Sequence, residues 1–176
     1  TKRFPGILAL DHIDLDIPPG EVMALVGENG AGKSTLGRVL AGIHRPDAGS
    51  IELRGEPVRI ESPSDAMRLG IGMVHQELAF CPELTIAQNL CLGDTPACGP
   101  LVNRAKMAGK ARELLAAIHA DHLDVERPMK ELSTAREQLV QIASAVGRGA
   151  DVVIFDEPTS SLSAVEAENL FKLIRQ

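Results

Sequence analysis

The sequence predicts an α/β fold organised around a phosphate-cradling loop. Three observations lead to that expectation. Gly27-Glu28-Asn29-Gly30-Ala31-Gly32-Lys33-Ser34-Thr35 has the spacing G-x-x-x-x-G-K-[ST]. The apolar run Val22-Met23-Ala24-Leu25-Val26 precedes it, and Leu36, Val39 and Leu40 share one helical face after it. Two further apolar runs, Ile71–Val74 and Val152–Phe155, read as buried strands.

The loop's chemistry follows from its residue types. Glycines let backbone N–H groups crowd around a polyphosphate. The helix that follows turns its positive end toward the same anion. Lys33 is placed to reach the β- and γ-phosphates, and the Ser34 hydroxyl to ligate Mg²⁺. A plain Gly-rich turn before a helix would need neither the Lys-Ser pair nor this order of elements.

Upstream, residues 1–17 read as extended. Ile13, Leu15 and Ile17 alternate with His12, Asp14 and Asp16, the period of a half-buried strand. Pro18-Pro19-Gly20 ends it, and the strand leading into the loop follows. Ile51-Glu52-Leu53 and Val58-Arg59-Ile60 flank Arg54-Gly55-Glu56-Pro57, which predicts a hairpin. Ser62-Pro63-Ser64-Asp65 predicts a capped helix with Pro at its first position, stopping at Gly70. The strand Ile71-Gly72-Met73-Val74 runs to His75-Gln76-Glu77.

From Phe80 to Lys130 the pattern turns helical. Thr85-Ile86-Ala87-Gln88 predicts a second capping box. Met107, Ala111, Leu114, Leu115 and Ile118 make one face of a longer helix. No strand is expected in this stretch. Ser133 reads as the N-cap of a helix with Leu139, Ile142, Ala143 and Val146 on one face, ending near Gly147 or Gly149. Ser163-Ala164-Val165-Glu166 opens the last helix. Asp156 and Glu157 close the apolar strand before it. An acid there completes a Mg²⁺ shell, and a second acid can orient or deprotonate an attacking water.

The totals exclude some classes. The 176 residues leave room for one domain with a real core. Net charge is −6 with no dense basic block, which speaks against nucleic acid as partner. The basic stretch Arg104, Lys106, Lys110 and Arg112 reads as a solvated helix face. Cys81, Cys91 and Cys98 lack metal-ligand spacing and cannot all pair with one another, which suits a reducing compartment. No apolar run approaches membrane-spanning length. The chain starts without Met and stops inside a helical pattern, so we expect a piece of a longer polypeptide.

Four motifs in order give the chain a resemblance that covers nearly all of it. Besides the loop, Gln76 stands where a Q-loop glutamine would. Leu132-Ser133-Thr134-Ala135-Arg136-Glu137-Gln138 resembles a signature segment. Asp156-Glu157-Pro158-Thr159-Ser160-Ser161-Leu162 resembles a Walker B strand end running into a D-loop. Together these resemble the ATPases of ATP-binding cassette (ABC) transporters. Phe4-Pro5-Gly6-Ile7-Leu8-Ala9-Leu10 and Met73-Val74-His75-Gln76-Glu77-Leu78 are similar to the first cassette of bacterial importers of ribose, galactose and xylose type.

The resemblance implies a RecA-like P-loop NTPase core with an N-terminal antiparallel β-subdomain and an inserted α-helical subdomain. Residues 1–79 would hold the β-subdomain and loop core, 80–131 the helical subdomain, and 132–176 the signature helix, Walker B strand and D-loop. ATP and Mg²⁺ are the implied ligands. Phe4 would stack on adenine, as a flat ring can. The loop residues Gly27, Glu28, Asn29, Gly30, Ala31, Gly32, Lys33, Ser34 and Thr35 would hold the phosphates. Ser34, Gln76 and Asp156 would hold the metal, and Glu157, Lys33 and Gln76 would serve catalysis. Ser133 and Ala135 would bind the γ-phosphate of ATP held by an opposing cassette.

The implied partners are a second cassette, encoded in a C-terminal half of the same polypeptide, membrane permease subunits, and indirectly a periplasmic sugar-binding protein. The implied place is the cytoplasmic face of the membrane, peripherally. Thr134-Ala135 and Ser163 depart from the common family pattern. All five histidines precede the Walker B strand, so none can be the family's switch histidine. The rival reading is a soluble ABC ATPase acting on DNA or ribosomes. The absence of sustained heptads between Gln76 and Ser133 and the acidic balance speak against it. A binding-only cassette is a third reading, and Glu157 argues against that.

Overall fold

The computed structural model describes residues 1–74, 80–99, 101–147, 149–157 and 164–175. The chain begins with an antiparallel pair, β1 (Lys2–Phe4) and β2 (Ile7–Leu10). Pro5 and Gly6 turn between them, and Gly6 takes φ 78°. The loop region then leads into α1 (Lys33–Leu40). A second hairpin pairs β3 (Ile51–Leu53) with β4 (Glu56–Val58). Its turn is only Arg54-Gly55, both at positive φ, the geometry that matches strand twist. Glu56 and Pro57, expected in the turn, therefore belong to β4.

Capping at the next two helices follows the sequence. In α2 (Pro63–Arg68) the Ser62 hydroxyl accepts from the Asp65 N–H at 3.2 Å, with Pro63 at the first position. In α3 (Ile86–Leu90) Thr85 and Gln88 form the reciprocal box, at 3.2 and 2.8 Å.

The centre is a parallel pair, β5 (Ile71–Val74) and β8 (Val152–Phe155). Alternation sorts their side chains onto two faces. Val152 and Ile154 pack with Ile60, Ala66 and Ile71, beside α1 and α2. Val74, Val153 and Phe155 pack into the larger core. That core gathers α3, α4 (Arg104–Ala116) and α5 (Thr134–Val146), including Ile86, Leu90, Leu115, Met129 and Val140 at 0–1% exposure. Helices thus cover both faces of a parallel sheet. Small residues set the layer spacing. A Cβ on Gly37 of α1 would lie 3.2 Å from Ile154 Cγ2, and one on Gly72 of β5 would lie 2.8 Å from the Ala145 carbonyl oxygen of α5. The chain closes on α6 (Ala164–Ile174), where Leu170 joins the larger core.

Several expectations are corrected. Residues 13–17 and 22–26 form no strand, and Val22 and Val26 are 70% and 93% exposed. A strand needs a neighbour to take its hydrogen bonds. Among the described residues no segment pairs with either run, and β8 pairs only with β5. For the same reason β8 is half-buried rather than buried. A short hairpin, β6 (Ala97–Cys98) and β7 (Leu101–Val102), interrupts the stretch read as helical throughout. On α5 the buried set is Gln138, Val140, Gln141, Ile142 and Ala143, while Leu139 and Val146 are half-buried. Ile142 and Ala143 of the expected face are buried, and Gln138 and Gln141, outside it, are buried as well.

Candidate nucleotide-binding site

The loop's conformation begins with Gly32. It caps α1 at φ 90°, and its carbonyl accepts from the Leu36 N–H at 2.9 Å. A Cβ there would lie 2.6 Å from the Ala9 carbonyl oxygen and 2.9 Å from Leu10 Cδ2. Only glycine meets both the left-handed backbone and this approach to β2. The Lys33 ammonium turns back over the loop and donates to the carbonyls of Gly27 and Glu28, each at 2.8 Å. The Ala31 N–H donates to the Glu28 carbonyl at 3.2 Å, which tightens the turn. The cation is held by the loop's own backbone, at the open end of α1.

Ser34 follows on the first turn of α1. Its hydroxyl donates to Asp156 Oδ1 at 2.7 Å, in a half-buried position. The Asp156 N–H donates to the Val74 carbonyl at 3.0 Å, so the acid stands where β5 and β8 both end. Glu157 is next, exposed and at φ 49°. A non-glycine residue in that region is uncommon and turns the chain sharply after the strand. Gln76 and His75 lie outside the described residues, as do Pro158 to Ser163 of the expected D-loop.

Phe4 lies on β1, away from the loop in sequence but beside the segment that follows α1. Its ring meets His44 edge-on, with centroids 5.1 Å apart at 76°. Lys2 Nζ is 5.4 Å from the ring centre. Asp47 ties β1 down, accepting from the Arg3 N–H at 2.6 Å and from Lys2 Nζ at 3.2 Å. These two bonds, the Arg3 backbone first, hold its carboxyl below the ordinary value of 3.8. His44 as the partner of Phe4 carries no signal in the sequence.

Ser133 takes the N-cap position of α5 and is exposed, but its hydroxyl makes no capping bond. The cap expected there is positional only. Ala135 lies on the first turn and is half-buried. The structure thus brings Lys33, Ser34 and Asp156 together around the loop, with Glu157 adjoining. Ser133 and Ala135 stand on a separate helix start, and Phe4 beside His44.

A hydroxyl and a carboxylate in contact are hard oxygen donors of the kind Mg²⁺ takes. Among the described residues no group of three or more His, Cys, Asp or Glu gathers as a metal cage. A small protein ligand set of this kind suits Mg²⁺, which keeps waters and phosphate oxygens in its shell.

A P-loop motif opening a helix, with the acid at the end of a parallel sheet strand against its serine, is the arrangement of a P-loop NTPase. Solved structures agree. A nucleotide-free ATP-binding cassette from an ABC transporter superposes with TM-score 0.85 at 26% identity, covering 99% of this chain and 72% of that one. The ADP conformation of another ABC cassette superposes with TM-score 0.81 over 99% of this chain and 72% of that one, at 24% identity, a likeness of fold. The family model described as ABC transporter matches residues 10–160, and the chain belongs to that family. Among curated proteins it is 47% identical, over its whole length, to a ribose import ATP-binding protein of Rubrobacter xylanophilus, of which it covers 35%. It is 44% identical to an arabinose import ATP-binding protein of Vibrio parahaemolyticus, again covering 35%. The chain thus spans about a third of the length of these relatives.

Proposed function

We propose that this chain is the ATP-binding and ATP-hydrolysing part of a subunit that powers an ABC importer for a monosaccharide. The observation that carries the reading is the 2.7 Å bond from Ser34 to Asp156 beside the lysine-bearing loop. It joins the two halves of a phosphate and Mg²⁺ site. The relatives named for sugar import support the substrate class and disfavour the DNA- or ribosome-acting alternative.

In this reading the loop N–H groups and Lys33 bind the β- and γ-phosphates, and Phe4 covers adenine. Ser34, Asp156 and Gln76 would hold Mg²⁺, which neutralises charge on the phosphate oxygens. Glu157 orients and deprotonates the attacking water. Ser133 and Ala135 serve the γ-phosphate bound by a second cassette, through the free N–H groups of a helix start. Permease subunits dock against residues 79–84 and the neighbouring helices, and a periplasmic sugar-binding protein acts through them. The subunit sits peripherally on the cytoplasmic face of the membrane. The helical stretch 80–131 acts as a subdomain between the phosphate-binding core and the signature helix.

The test uses the full-length subunit. Lys33→Ala abolishes tight binding of a fluorescent ATP analogue. Glu157→Gln keeps binding and removes phosphate release. Full turnover by Glu157→Gln would overturn the role given to Glu157.

A further inference from the structure

Asn89 is the one polar side chain that α3 buries, at 7% exposure, between Ile86, Ala87 and Leu90 at 0%. A buried amide is costly unless its donors and acceptor are satisfied. Here they all turn onto one short stretch of backbone. Asn89 Oδ1 accepts from the Cys81 N–H at 2.9 Å. Nδ2 donates to the carbonyls of Cys81, Leu84 and Thr85 at 3.1, 3.2 and 3.0 Å. One side chain therefore closes the turn formed by residues 81–85 from the inside.

The outside of that turn is bonded to a second segment, residues 127–131. The Lys130 N–H donates to the Pro82 carbonyl at 3.1 Å, and the Met129 N–H to the Leu84 carbonyl at 3.0 Å. The Ile86 N–H donates to the Arg127 carbonyl at 3.0 Å, and Thr85 bridges to Pro128. Lys130 Nζ pairs with Glu83 at 2.6 Å. The second segment then runs directly into Ser133, the N-cap of α5. The Leu132 N–H is fixed to the Met129 carbonyl at 2.9 Å.

We propose that Asn89 is a positioning residue, which makes residues 81–85 and 127–131 one rigid piece, so that displacement of the turn is delivered to Ser133. This rests on the reading in which the permease meets residues 79–84 and Ser133 meets nucleotide. A leucine at position 89 would fill the space but leave the Cys81 N–H without its acceptor. The turn would then be held only from its outer side. The two segments would remain packed but lose their common register.

The experiment uses the full-length subunit, alone and assembled with its permease in vesicles. In Asn89→Ala, hydrogen exchange at Cys81, Met129 and Lys130 speeds up together, while α4 and α1 keep their protection. ATP affinity of the isolated subunit stays within about twofold, because Lys33, Ser34 and Asp156 are untouched. The ratio of transport-stimulated to basal ATPase rate falls about five- to tenfold. Should Asn89→Ala fail to fold, Asn89→Asp is read at Met129 and Lys130 and in the stimulation ratio. It keeps the volume and the Cys81 acceptor and removes the donors. An unchanged stimulation ratio in a folded variant overturns the proposal. So does faster exchange at Cys81 with no change at Met129 and Lys130. A wild-type subunit that its permease does not stimulate would instead overturn the transport reading itself.

Discussion

Ser34 and Asp156, 122 positions apart in sequence, are joined by a 2.7 Å hydrogen bond. The bond runs from the first turn of α1 to the end of β8, so it fixes the loop against the sheet. It also gives the serine a second task besides any metal. Ser34→Ala removes a bond to a charged acceptor, with a stability loss of about 1.5–3 kcal/mol. It should also weaken Mg·ATP binding more than binding of metal-free ATP. Titration of a fluorescent ATP analogue with and without Mg²⁺, together with urea denaturation, checks both. Equal loss in the two titrations would mean that Ser34 acts on the loop alone.

Gly32→Ala should be among the more damaging single changes near the loop. The substitution forces a Cβ to within 2.6 Å of the Ala9 carbonyl oxygen at φ 90°. Backbone strain alone costs about 1–3 kcal/mol. The expected readout is a lower urea midpoint together with loss of nucleotide affinity. A midpoint equal to that of the parent would show that β2 gives way freely.

Acid should release the N-terminal hairpin early. Asp47 has its carboxyl held below the ordinary value by the Arg3 N–H and Lys2. A depressed folded-state pKa contributes stability in full above the unfolded value, near 3.8. That contribution is lost as pH falls through the lower folded value. Above pH 5 the contact between Phe4 and His44 should therefore keep its Asp47 support. Below the unfolded value of 3.8, the protection of the Arg3 amide relative to its intrinsic exchange should fall ahead of global unfolding. Asp47→Asn should show the lower protection at neutral pH.

The larger core should respond to truncation. Leu115 is fully buried among α3, α4 and α5. Leu115→Ala is expected to cost about 2–5 kcal/mol, read as a shift in the urea midpoint with unchanged slope. A loss below 1 kcal/mol, by the same scale, would mean that the core closes over the cavity.

Cys81 offers a probe of the permease contact, since it is exposed while Cys91 is buried. It should cross-link to cysteines placed in cytoplasmic loops of the permease, and ATP should change the yield. Cross-links confined to Cys98, which lies on β6 of the β6–β7 hairpin, would move the interface to that hairpin.

By itself the sequence determined what is settled within a few residues. Ser62 caps α2, and Thr85 and Gln88 form their box, because each bond spans one turn of backbone. Met107, Ala111, Leu114 and Leu115 share a buried face because helical spacing puts them there. The loop motif was legible for the same reason: glycines, lysine and serine act within one turn. Tertiary structure alone decided the rest. Alternation at residues 13–17 and the apolar run at 22–26 signalled strands, yet neither finds a pairing neighbour among the described residues. Glutamines 138 and 141 are buried on α5 although their side chains read as polar. The meetings of Phe4 with His44 and of Asn89 with the 81–85 turn left no local trace, whereas the motifs placed Ser34 and Asp156 on one metal but not in a direct bond. Helix caps are closed by the chain's own next turn, whereas a strand or a buried amide exists only when distant backbone arrives to take its hydrogen bonds.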